Sequence, residues 1–135
     1  MSRPTHPTHT PMRTPLGRVR GLGAARNGTQ HFFMQRVTGF ANLLLTVAFI
    51  IIVIRLAGAS YAETREVIGQ PLVAIILLLT LISVCTHMRL GMQVVIEDYV
   101  HVEGWKVFWI ICNTFFTTVI ALAGAFAVLK ISLGG

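Results

Sequence analysis

Residues 87–101 read HMRLGMQVVIEDYVH, and they gather groups able to do chemistry at the end of an apolar segment. His87 and Arg89 interrupt the segment, and Glu97, Asp98 and Tyr99 follow where it closes. An ionisable side chain inside a membrane span is costly and points to a functional site. A neutral imidazole there can hydrogen-bond a neighbouring helix, relay protons or ligate haem iron. A phenol such as Tyr99 can donate to a quinone carbonyl, and a nearby carboxylate such as Asp98 can orient it or pass protons. The plainer alternative gives His87 a structural hydrogen bond, puts Tyr99 in an aromatic belt and leaves both acids solvated.

On one helix, Gly91 lies a turn beyond His87 on the same face, where it lets a flat macrocycle or another helix come close. Tyr99 stands roughly 18 Å further along the axis and about 120° around it, and Arg89 is about 200° from His87. Arg89 can snorkel towards the aqueous side or pair with a carboxylate of a cofactor or partner, and periodicity does not choose. A haem with two axial histidines needs a second imidazole at the depth of His87. His31 is expected ahead of the first span, His101 beyond the end of the second, and His6 and His9 in the tail. So either His87 binds no haem, or it is half of a site that another chain completes.

The elements that must position these groups are written in the hydropathy. More than half of the 135 residues are hydrophobic and only 12% are charged, too little polar sequence to cover so much apolar surface in water. Three runs carry the apolar residues: Val37 to Ile54, Pro71 to about Ile96, and Val107 to Leu129. Each approaches the roughly 20 residues that cross a bilayer core. The expected fold is therefore an all-α membrane protein of three transmembrane helices, at about 37–56, 71–97 and 105–130. A short helical turn is expected near Ala62 to Val67, Pro71 suits a helix start, and Gly104 is expected to break the chain before the third span. Ala121, Ala123, Gly124, Ala125 and Ala127 offer a close-packing surface.

Residues 1–28 read as a basic extended tail and 29–135 as the membrane domain. The tail has several arginines, no acid and no apolar signal-peptide core. The positive-inside rule accounts for its charge better than nucleic-acid binding, and puts the N-terminus on the cytoplasmic side. Residues 97–106 then return to that side, and the C-terminus ends outside. In a mitochondrion, the same side would be the matrix. Cys85 and Cys112 fall in apolar runs without a CxxC partner, so neither a disulfide nor a zinc site is expected.

HMRLGMQVVIEDYVH, preceded by ARNGTQHFFMQRVTG, resembles the small hydrophobic membrane-anchor family of succinate dehydrogenase, respiratory complex II. The likeness covers about residues 16–104. It rests on the spacing of His87, Gly91, Asp98 and Tyr99, together with Arg36-Val37-Thr38 at the start of the first span. The resemblance implies a non-flavin anchor forming half of a haem-binding helical bundle with a second, companion anchor chain. By it, His87 is an axial ligand of haem b, the other axial histidine comes from the companion anchor, and Arg36 lies near the haem propionates. Tyr99 hydrogen-bonds ubiquinone, and Asp98 is adjacent. FAD and iron–sulfur clusters are implied only in the partner flavoprotein and iron–sulfur subunits. The implied location is the bacterial inner membrane, with the mitochondrial inner membrane as the lesser alternative. Two rival readings are the anchor of a quinol:fumarate reductase and a small non-redox membrane protein with a His87/Arg89 polar relay.

Overall fold

The computed structural model describes residues 14–19 and 27–134. The chain is all-α, with no strand among the described residues. Its helices are α1 (Pro15–Val19), α2 (Asn27–Leu56), α3 (Tyr61–Gly69), α4 (Pro71–Tyr99) and α5 (Glu103–Ser132). Most of the expected extended tail, at 1–13 and 20–26, lies outside the described residues. Between those stretches, α1 is a single turn whose Gly17 N–H donates to Thr14 Oγ1 at 3.2 Å.

The helix α2 begins ten residues before its apolar run. Its 30 residues span roughly 45 Å, against a hydrocarbon core of about 30 Å. Hydropathy marks only the part that lipid solvates; the first turns continue because α4 supplies a surface for them. At the far end, Gly58 takes a positive φ of 81°, and Ala59 N–H donates to the Leu56 carbonyl. Glycine reaches that left-handed conformation without a Cβ penalty, which lets the chain turn off the helix. Ser60 then caps α3 with a reciprocal box: its Oγ accepts from Glu63 N–H, and Glu63 Oε2 accepts from Ser60 N–H at 2.7 Å.

Pro71 opens α4 in its first turn, where a missing N–H costs nothing. That helix ends when Val100 becomes extended, and α5 starts at Glu103. Gly104 therefore lies inside the first turn of α5, a correction to its expected role. The break falls at residues 100–102, two of them β-branched valines, and Glu103 adds a negative charge at the positive end of the new helix dipole.

The centre of the layer is α4, which packs on α2 along one side and α5 along the other. Among the described residues α2 and α5 do not touch, and α3 closes the end of the layer opposite Tyr99. Small residues set the α4–α5 approach. A Cβ on Gly124 would come within 2.8 Å of Leu81 Cδ2. Ala121 and Ala125 are half-buried beside it, while Ala123 and Ala127 face outwards, so only part of the expected small-residue surface is used here.

The interior is thin. Ile52, Ala74, Cys85, Leu90 and Ile96 are its buried apolar residues among those described, and Thr38, Ser83 and Thr117 its buried polar ones. The hydroxyls of Thr38 and Thr117 donate to carbonyls one turn back, as a low-dielectric surrounding demands. Phe40, Leu43, Phe115, Leu122 and Phe126 are about two-thirds exposed, which suits lipid or another helix rather than water. The three long helices are each apolar and long enough to cross a membrane.

Candidate functional site

His87 sits on the side of α4 that faces α2, where three residues of α2 build its seat. A Cβ on Gly39 would lie 3.3 Å from His87 Cε1, so the absence of a side chain there is what admits the ring. Thr38 Oγ1 is 3.1 Å from His87 Nδ1. Gln35 Nε2 is 3.5 Å from His87 Nε2, at the limit of a hydrogen bond. One turn before His87, Ser83 Oγ donates to the Thr38 carbonyl at 3.4 Å. The α2–α4 seam is thus polar where it holds the imidazole, and hydrogen bonds join the two helices.

The same α2 face carries polar atoms that this chain does not satisfy. His31 Nε2, Gln35 Oε1 and Asn42 Oδ1 are buried and have no hydrogen-bond partner. The spacing of His31, Gln35, Thr38 and Asn42 at intervals of three and four residues puts them on one stripe. Buried polar atoms are seldom left unpaired, so these three atoms keep hydrogen-bonding capacity for a further group.

One expectation is corrected here. His31 does not precede the first long helix but stands inside α2, on this stripe, lining a cleft of about 290 Å³ with Gln30, Met34, Thr86, Arg89 and Leu90. His87 is level with Thr38, the second residue of the first apolar run. Gly91 does permit a close approach, and the group that approaches is Gln35, whose Nε2 would lie 3.3 Å from an added Cβ.

Arg89 lies between two clefts, one shared with His31 and one with Cys85, Thr117 and Thr118, and its backbone carbonyl accepts from Asn113 Nδ2 at 2.9 Å. The guanidinium of Arg36 lies over the Phe32 ring, 3.4 Å from its centroid. That stacking extends the side chain along the start of α2 and keeps its charge exposed.

Tyr99 is 77% exposed in the last turn of α4. It borders an apolar groove of about 520 Å³ between α4 and α5, whose other walls include Met92, Val95, Trp109, Cys112 and Phe116. Tyr99, Asn113 and the indole of Trp109 supply its hydrogen-bonding side chains. Asp98 and Glu97 are exposed, and Glu97 accepts from Gln93 Nε2 at 2.8 Å. The structure therefore gathers Gln35, Thr38, Gly39 and His87 into one site and sets Tyr99 at another, about three turns away along α4. Sequence reasoning missed Gln35 and the role of Thr38, although the polar stripe was visible as a three–four spacing running into the first apolar run.

These features define a multi-pass, all-helical membrane protein with a half-buried imidazole between two of its long helices. A family model described as succinate dehydrogenase/fumarate reductase transmembrane subunit matches residues 10–122. The chain is 32% identical over 121 residues to the succinate dehydrogenase hydrophobic membrane anchor subunit of Paracoccus denitrificans, covering 90% of this chain and 93% of that one. The corresponding protein of Rickettsia bellii is 27% identical over 119 residues, covering 88% and 87%. The chain belongs to the succinate dehydrogenase/fumarate reductase transmembrane subunit family.

Proposed function

We propose that this chain is a hydrophobic membrane anchor of a succinate:ubiquinone oxidoreductase, supplying His87 as one axial ligand of a shared haem b and Tyr99 to a ubiquinone-reduction site. The single observation that carries the reading is the seat of His87. An imidazole held by one ring nitrogen, with only a 3.5 Å contact at the other, is what a metal-ligating histidine requires. The donor set fits a haem. Gln35 lies in front of Nε2 and is weakly held, with Oε1 unpartnered, so it can yield to an iron. Arg36, exposed at the same end of α2, offers a cation to a propionate.

A haem bound there supplies a one-electron carrier of b type. This chain's residues would orient and bury it. The remaining axial ligand would come from a companion anchor, whose helices would also cover the exposed apolar faces. Tyr99 donates its phenol proton towards a quinone carbonyl, and Asp98 stands next to it at the aqueous boundary. The groove below Tyr99 is apolar enough for an isoprenoid tail. Succinate oxidation, FAD and the iron–sulfur clusters belong in this reading to the flavoprotein and iron–sulfur subunits. The chain would lie in a bacterial inner membrane with its N-terminus cytoplasmic.

The test is a dithionite-reduced minus oxidised absorption spectrum of the complex purified through a tag on this chain. The reading expects a b-type haem signal with both soluble subunits and the companion anchor, and loss of that signal in His87→Ala. A complex with all its partners and no haem would return His87 to a structural hydrogen bond.

A further inference from the structure

We infer that Thr38 is a positioning residue that fixes the tautomer of His87 and leaves the lone pair on its Nε2. Proton counting leads to it. A threonine hydroxyl has one proton and two lone pairs. Thr38 Oγ1 is 2.8 Å from the Met34 carbonyl and 3.3 Å from the Gln35 carbonyl. Both are pure acceptors, so the hydroxyl proton is committed to the backbone of α2. Towards His87 Nδ1, 3.1 Å away, Oγ1 can then only accept. Nδ1 must carry the imidazole proton, and Nε2 must carry the lone pair.

Gln35 agrees with this assignment, since its amide nitrogen, which can only donate, faces Nε2 at 3.5 Å. Thr38 is 7% exposed, so water does not compete for the Nδ1–H. Gly39 completes the device by setting the ring against the backbone of α2, and Ser83 ties the Thr38 carbonyl to α4. The inference rests on the reading of His87 as a haem ligand and adds to it the group that orients the ligand. An Nδ1–H held by an acceptor gives the imidazole partial imidazolate character, which strengthens its bond to iron and favours the oxidised metal.

The experiment uses the whole complex, purified through a tag on this chain, as wild type, Thr38→Ser, Thr38→Val and Thr38→Ala. Two quantities are read: the rate at which haem is lost to excess apomyoglobin, and the haem midpoint potential. Thr38→Ser keeps the acceptor and is expected to match wild type in both. Thr38→Val and Thr38→Ala remove it. They are expected to bind haem about 10- to 100-fold more weakly and to shift the potential in the positive direction. Wild-type retention and potential in either acceptor-free variant would overturn the inference alone. Failure of Thr38→Ser to the same extent as Thr38→Val would also overturn it, since shape and not the acceptor would then matter. A wild-type complex with every partner and no haem would overturn the reading of His87, and the inference with it.

Discussion

At the scale of single residues, the proposed function divides the chemistry between two side chains. His87 is held from α2, and Tyr99 stands free at the other end of the same helical stretch. Their separation makes their substitutions separable. Tyr99→Phe removes a hydrogen-bond donor from an exposed position without touching the α2–α4 seam. Succinate-driven quinone reduction should fall about tenfold, the worth of one lost hydrogen bond, with haem content unchanged. Equal rates in Tyr99→Phe and wild type would remove the phenol from the quinone site. Gly39→Val acts at the opposite site. Its Cβ alone would press on His87 Cε1 at 3.3 Å, and the branched methyls would displace the ring. Overpacking of this kind costs about 1–3 kcal/mol. The ratio of haem to flavin in the purified complex should drop, and a ratio equal to wild type would show that the seat has room to give.

Helix ends decide more than helix middles at the scale of elements. The turn into α3 is held by the Ser60–Glu63 box, and hydrogen bonds from Ser60 backbone and side chain keep the Glu63 carboxyl below its ordinary value of 4.5. A depressed folded value means that the carboxylate's contribution is complete above 4.5 and is lost as pH falls through the lower folded value. Hydrogen exchange of the α3 amides, corrected for intrinsic rates, should therefore lose protection in that acidic window. Glu63→Ala should remove this pH dependence, and a persisting dependence would assign it to another group.

The whole molecule is an open layer. One central helix touches two neighbours that do not touch each other, and the polar stripe of α2 contains three buried atoms without partners. In the proposed function such a layer is half of a larger bundle, and it offers His87 but no assembled second ligand among the described residues. Produced alone in detergent and supplied with haem, the chain should give at most a five-coordinate, high-spin spectrum. The six-coordinate, low-spin spectrum should arise only with a companion anchor. A low-spin spectrum from the isolated chain would direct attention to His31, which shares the α2 face with Gln35.

Three long apolar helices, Pro71 at a helix start and the shared face of His87 and Gly91 were all legible in the order of residues. Each of them depends on hydropathy or on a period of 3.6, and both are local properties of a chain. The spacing of His87, Asp98 and Tyr99 was equally legible, because one unbroken helix carries all three. What lay outside the sequence's reach was everything set by two helices meeting. The register of α2 against α4 puts Thr38 beside Nδ1 and Gln35 beside Nε2, and it sets His87 level with the start of the first apolar run. It also carries His31 into α2, since a helix continues past the lipid when a neighbour supports it. Hydropathy reports the solvent of each residue, and only packing reports its partner.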